Sequence, residues 1–169
     1  MQISGKFNKV KKIIKILEKN GFEAVVVGGA VRDYLMGKIP QDFDIATNAR
    51  PENVEELFPH TIGVGKQFGV ILVVMGGEQF EIATYRKDLG YSDGRHPDKV
   101  EFADARADVL RRDFTVNGLF WHPVTDEIVD YVDGQKDIQN KIIRSIGDAD
   151  LRFSEDKLRV LRAIRLLQI

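Results

Sequence analysis

The stretch VVGGAVRDYLMGKIPQDFDIAT, residues 26–47, sets the reading of this chain. An apolar strand runs into Gly28-Gly29 and then into a helical segment. Paired glycines let backbone N–H groups approach a phosphate, and a helix N-terminus adds a favourable dipole. Arg32 falls in the first turn, where its guanidinium could grip the same anion with two hydrogen bonds. The alternative is a tight turn packed closely on a sheet. Ten residues on, Asp42-Phe43-Asp44 reads as the start of a strand. Residues i and i+2 of a strand share a face, so Phe43 points inward and both carboxylates point outward together. Adjacent carboxylates repel unless a cation neutralises them, and such a pair suits Mg²⁺, which takes a few carboxylates with water and phosphate oxygens. A solvated edge-strand pair is the other reading, and the preceding Gly-Gly and Arg32 element favours the metal. Metals held this way can activate an attacking hydroxyl and stabilise a leaving pyrophosphate.

Outward from this stretch, the pattern predicts a mixed fold. Val10, Ile13, Ile14 and Leu17 recur at helical spacing over 7–19, and Asn20-Gly21 stops that helix. A helix is expected over 51–58, capped by Asn48 or Thr47. Val70–Val74 and Gln79–Thr84 form a hairpin across Gly76-Gly77, extended by Val100–Phe102. On Gln79–Thr84, alternation sets Glu81 opposite Phe80 and Ile82, either as a third carboxylate or as an exposed strand residue. Residues 86–97, with two Gly and a Pro, read as a loop. A helix over 104–113 precedes RRDFTVN (111–117), either an ion pair at a helix end or a triphosphate or ribose contact. Leu119–Trp121 pairs with Ile128–Tyr131, and Ile142–Ile146 is extended. Residues 154–168 read as one amphipathic helix with Ser154 as N-cap. Leu158, Leu161, Ile164 and Leu166 or Leu167 form its apolar face, and Asp156, Arg159 and Arg162 lie close to another. An Asp and an Arg on one rigid face offer an acceptor and a fork of donors to a base edge; an ion-pair ladder in solvent is the alternative.

Composition narrows the class. The 169 residues are 43% apolar and 30% charged, with no Cys. This suits one domain with a real core and excludes a disulfide framework, thiolate metal sites and a Cys nucleophile. The longest apolar stretches, such as Val70–Met75, fall far short of a membrane span of roughly 18 residues. The N-terminal segment lacks the apolar core of a signal peptide. A cytoplasmic protein with no membrane segment is therefore expected. The formal net charge of −1 hides an uneven distribution. Residues 1–20 carry net +5, residues 141–169 net +3, and the middle −9. Solvated helix faces account for this, or an acidic metal site flanked by phosphate-contacting cations. His60, His96 and His122 each adjoin a Pro without ligand spacing and read as loop residues.

Together, GGAVRD (28–33), DFD (42–44), RRDFTVN (111–117), DGQKDI (133–138) and EDKLRVLRAIR (155–165) resemble, in order and spacing, the class II tRNA nucleotidyltransferases. These are the CCA-adding enzymes, with A-adding and CC-adding enzymes and bacterial poly(A) polymerases. The resemblance implies an α+β fold: a DNA polymerase beta-type nucleotidyltransferase head, a small mixed sheet with flanking helices, over 1–147, and the start of a helical neck over 148–169. It implies that Asp42 and Asp44 hold Mg²⁺, with Glu81 a third catalytic carboxylate. Gly28, Gly29 and Arg32 would bind the incoming triphosphate, and Arg112 and Asp113 triphosphate or ribose. Asp156 and Arg159 would read the Watson–Crick edge of CTP or ATP, with Arg162 and Arg165 on the same helix. The tRNA 3′-hydroxyl would attack the α-phosphate and release pyrophosphate. The intact 86–97 loop resembles the CCA- and A-adding pattern. A-adding, poly(A) addition, or a non-catalytic nucleotide- or RNA-binding fragment are the alternatives. The family's later neck, body and tail are absent, so an apolar edge near Leu166, Leu167 and Ile169 is expected to seek those helices, a separate chain or a second copy.

Overall fold

A computed structural model describes residues 5–168. Helix α1 (Gly5–Lys19) buries Phe7, Val10, Ile13, Ile14 and Leu17 along one face and carries its lysines on the others. It ends where Gly21 takes φ 84° and Phe22 N–H returns to the Leu17 carbonyl at 3.1 Å, a glycine stop of the kind the sequence predicts. The chain continues through β1 (Ala24–Val27), α2 (Gly29–Leu35), β2 (Asp44–Thr47), α3 (Pro51–Leu57), β3 (Thr61–Gly65), β4 (Val70–Met75) and β5 (Glu78–Thr84). Then come β6 (Arg86–Leu89), β7 (Lys99–Phe102), α4 (Ala105–Leu110), β8 (Leu119–His122), β9 (Glu127–Asp130), α5 (Gly134–Asn140), α6 (Ala149–Glu155) and α7 (Leu158–Leu166).

Seven strands form one mixed sheet in the order β3-β4-β5-β2-β1-β8-β9. Only β2 and β5 run parallel, which the crossover through α3, β3 and β4 makes possible. Alternation divides the sheet into two faces. Phe43, Ile45, Phe80 and Ile82 pack with the apolar stripe of α1 in the main core. Phe7, Tyr34 and Trp121 stack there, with centroid separations of 5.2 and 4.0 Å from the indole. Val27, Ala46, Tyr85, Val109, Phe120 and Ile146 form a smaller cluster on the opposite face. That smaller cover leaves room for a cleft.

Several expectations are corrected. Residues 86–89 are a strand, and β7 does not extend the β4–β5 hairpin but pairs with β6 in a separate two-stranded ribbon. Its cross-strand Lys87–Glu101 pair at 2.9 Å shows why periodicity concealed it: the ribbon is charged and partly solvated. Residues 142–146, expected to be extended, lie along 113–115 with an antiparallel bridge from Ser145 to Phe114. Helix α3 is capped by Arg50, not by Asn48 or Thr47. The helix expected over 104–113 covers Ala105–Leu110, with Asp104 accepting from Ala107 N–H at 2.8 Å.

The largest correction is at the C-terminal helix. It breaks at Asp156, whose backbone is extended (φ −141°) and whose carboxylate accepts from Leu158 N–H at 2.9 Å. An Asp side chain that competes for backbone donors in this way opposes helix continuation. Ser154 is no N-cap: it lies inside α6, and its hydroxyl donates to the Leu151 carbonyl. The apolar edge is open, as expected, but the polar face is buried rather than solvated. Asp156 and Arg159 are 4% and 5% exposed, while Leu161 and Leu167 are 61% and 76% exposed. Ile169, part of the expected apolar edge, lies outside the described residues.

Candidate active site

Strand β1 ends at Val27, and its antiparallel register places Val27 beside Asp44. Gly28 then turns with φ 72° and ψ −141°, a conformation open to glycine and costly for other residues. A Cβ on Gly28 would sit 3.8 Å from Asp44 Oδ2, so the bare turn and the carboxylate share one corner of the molecule. Phe43 is buried as expected and anchors the Asp42-Phe43-Asp44 segment to the core. Asp42 is far more open, with 91% of its side chain exposed and a 2.8 Å bridge to Lys6 Nζ.

Parallel pairing places Asp44 directly beside Glu81 on the sheet face away from α1. Both residues touch solvent, yet both carboxyls are pushed above their ordinary values. For Asp44 desolvation is the largest cause; Asp42 adds to it, and Arg112 and Lys6 oppose it. For Glu81 desolvation again leads, Asp44 adds to it, and Arg86 opposes it. Like charges paired across strands in a partly desolvated corner are what a cation relieves. Among the described residues no group of three or more His, Cys, Asp or Glu is arranged to enclose a metal. An open, carboxylate-poor site of this kind fits a divalent cation that completes its shell with water and phosphate oxygens.

Beside this corner lies a cleft of about 410 Å³. Its walls bring together Gly28, Gly29, Arg112, Asp113, Asp156, Arg159 and Arg162 from three separated sequence segments. Arg162 spans two of these segments, reaching Asp156 at 3.1 Å and Asp113 at 3.5 Å. Arg159 donates to Glu155 at 3.0 Å and to the Arg152 carbonyl at 2.9 Å, while its Nε is buried without a partner among the described residues. Six arginines and three aspartates line the cleft, leaving it electropositive. Such a wall suits a polyphosphate.

Two of the residues expected to bind nucleotide do not line the cleft. Arg32 spends its fork on Asp33 Oδ1 at 2.7 and 3.0 Å and on Asn117 Oδ1 at 2.8 Å, with its Nη2 3.5 Å from where a Cβ on Gly29 would stand. It lines an apolar groove with Met36 and Ile142. Arg165 is exposed on α7 and does not line the cleft. Arg111 and Asn117, from the RRDFTVN segment, line it with Arg112 and Asp113, and Arg86, Asp88, Tyr91, Arg95 and His96 line it from a stretch that reads as a loop. Asp88 accepts from Arg86 Nε at 2.9 Å and from Tyr91 OH at 3.1 Å. No local pattern in residues 86–96 signals this, because their place at the cleft comes from the β6–β7 ribbon.

Comparison with known proteins matches this geometry. Residues 24–144 match the family model described as the poly A polymerase head domain. The CCA-adding enzyme of Staphylococcus aureus strain MRSA252 is 46% identical over 160 residues, which is 94% of this chain and 40% of that protein. The crystal structure of the Bacillus stearothermophilus CCA-adding enzyme in complex with CTP superposes with a TM-score of 0.86. It is 39% identical over 97% of this chain and 39% of its own. The Thermotoga maritima CCA-adding enzyme complexed with tRNA gives 0.74 at 26% identity, over 98% of this chain and 38% of its own. The chain thus spans about two fifths of the length of the relatives it matches. Since the head-domain match runs over most of the chain and contains the carboxylate corner and most of the cleft wall, the protein belongs to the poly A polymerase head-domain family.

Proposed function

We propose that this chain is the catalytic head of a nucleotidyltransferase that adds CMP and AMP to the 3′ end of tRNA, completing CCA. The carrying observation is the junction of an acidic corner, Asp44 beside Glu81, with an arginine-lined cleft walled at its far side by Asp156 and Arg159. That order of parts suits a nucleoside triphosphate: phosphates toward the carboxylates and arginines, base toward α7. The relatives named for CCA addition, one of them holding CTP and another tRNA, support the same substrates. Cytoplasmic residence accords with this reading; no helix among the described residues is long and apolar enough to cross a membrane.

In this reading Asp42 and Asp44 hold Mg²⁺, with Glu81 the adjoining carboxylate. When bound, Mg²⁺ supplies charge neutralisation at the phosphates and a lowered barrier to hydroxyl attack. Arg112 holds the triphosphate, Asp113 sits beside the sugar, and the Gly28-Gly29 turn lets backbone approach the phosphates. The RNA 3′-oxygen forms a bond to the α-phosphorus as the bond to the pyrophosphate oxygen breaks in line. Positioning and fixed charge provide the acceleration, because no protein side chain becomes covalently linked. Arg159 offers donors and Asp156 an acceptor to the Watson–Crick edge, and Arg162 adjusts that acceptor by bridging it. Arg32, held by Asp33 and Asn117, supports the turn beside Gly29.

We assign residues 1–147 to the head and 148–169 to the start of a neck. The exposed face of Leu161, Ile164 and Leu167 is where further helices or a second copy would pack. Binding tests the reading directly. CTP and ATP should bind in a Mg²⁺-dependent manner and more tightly than GTP and UTP, as read by calorimetry. Equal binding of all four, or binding unchanged by Asp44→Ala, would refute it.

A further inference from the structure

Asp108, Arg111 and Arg112 are spaced i, i+3 and i+4 at the end of α4. That spacing ordinarily gives exposed ion pairs of small value. Here the carboxylate is buried: Asp108 is 1% exposed. Its Oδ1 accepts from Arg111 Nε at 2.9 Å and Nη2 at 2.7 Å, and from Arg86 N–H at 3.3 Å. Its Oδ2 accepts from Arg112 Nε at 3.2 Å and Nη2 at 2.7 Å. One carboxylate therefore takes the Nε–Nη2 edge of two successive arginines and ties them to the start of β6. Burial pushes the Asp108 carboxyl up, but Arg112 and Arg111 outweigh it and hold the group below its usual range. Arg112 is further confined by the Phe120 ring, 5.6 Å from its Cζ. The Nη1 of Arg112 has no hydrogen-bond partner among the described residues, and Arg112 lines the cleft beside Gly28 and Asp113.

We infer that Asp108 is a positioning residue. By clamping one edge of Arg112 it fixes the guanidinium plane and turns the remaining Nη1 edge to the triphosphate of the incoming nucleotide. Arg111, clamped by the same carboxylate and reaching Asp88 at 3.6 Å, is held as the second wall of the phosphate subsite. This inference rests on the nucleotidyltransferase reading above. Pre-ordering such long side chains spares the ligand the cost of immobilising them. A phosphate contact is made to every nucleotide in the ground state and the transition state alike, so its loss raises KM and leaves kcat.

The direction of the effect separates positioning from charge. Removing a carboxylate makes the cleft more positive, so charge alone would tighten triphosphate binding. Positioning predicts the reverse. In the full-length protein, Asp108→Asn should raise KM for CTP and ATP equally, by about 5- to 10-fold, with kcat within about twofold. In an Arg111→Ala/Arg112→Ala background the same substitution should add little, because its effect passes through the two arginines it clamps. A KM that is unchanged or lowered, or a rise of equal size in both backgrounds, overturns the inference. If Asp108→Asn does not fold, Asp108→Glu, which keeps the charge and displaces the clamp, takes its place in the same cycle with the same expected outcome. A wild type that binds no nucleotide would overturn the functional reading and this inference together. A wild type that binds, with a failed cycle, overturns the positioning role alone.

Discussion

Asp44→Asn should stabilise this protein while abolishing its chemistry. Asp44 and Glu81 are direct partners across parallel strands, and desolvation raises both carboxyls. Like charges directly opposed on neighbouring strands cost roughly 0.2–1 kcal/mol. The amide removes that repulsion and keeps the side chain's shape. A gain of about 0.5–1 kcal/mol is a rise in Tm of roughly 1–4 °C for a chain of this size. Thermal unfolding at neutral pH without divalent ions reads it. The sign follows from linkage: a carboxyl whose folded pKa lies above its unfolded value penalises the fold only while ionised. The penalty is therefore full above the folded pKa and vanishes as pH falls below the unfolded one, and the advantage of the variant should vanish with it. Adding Mg²⁺ should raise the Tm of wild type by mass action and leave the variant unmoved. Asp42→Asn provides the contrast. Its side chain is 91% exposed and bridged to Lys6, so it should lose at most about 1 kcal/mol. A Tm lowered by Asp44→Asn at neutral pH, or a gain that persists in acid, would refute the picture of a strained acidic corner.

Other outcomes follow from the same geometry. Arg159→Ala removes a buried fork at the cleft wall; charged hydrogen bonds contribute about 1.5–3 kcal/mol, so CTP affinity should fall about 10- to 100-fold by calorimetry. Unchanged affinity would remove α7 from the site. Gly28→Ala should cost roughly 1–3 kcal/mol in a urea titration, because φ 72° with ψ −141° strains any side chain-bearing residue. Space is not the cause, since the nearest atom to the new Cβ is 3.8 Å away. Divalent-cation affinity should climb with pH to above the ordinary carboxylate range before levelling, as the raised carboxyls of Asp44 and Glu81 lose their protons; titrations at several pH values check it.

What the sequence made legible was local. The stripe of α1, the strand-turn-helix at Gly28 and the inward Phe43 each follow from periodicity within a few residues. The Asp44–Glu81 pairing needed the register of a parallel crossover, which no local pattern encodes. The glycines beside Arg32 point it toward a phosphate, but its hydrogen bond to Asn117, 85 residues away, has no local signal. The buried polar face of α7 has a different cause. Apolar patterning indicates which face wants to leave water, and here Leu161, Ile164 and Leu167 remain exposed while the cleft buries Asp156 and Arg159. Asp108 stayed hidden for the same reason. Its spacing from two arginines is that of a surface ion pair, and only burial gives it another part.

The most direct measurement uses tRNA lacking its 3′ terminal nucleotides, incubated with Mg²⁺ and each nucleotide, with the full-length protein and its Asp42→Ala and Asp44→Ala variants. Product length is read by mass spectrometry. The account predicts growth by C, C and A with the wild type and none with either variant. No growth by any nucleotide, or equal growth with the carboxylates removed, would contradict it; growth by A alone, on tRNA already ending in CC, would assign the chain to A addition instead.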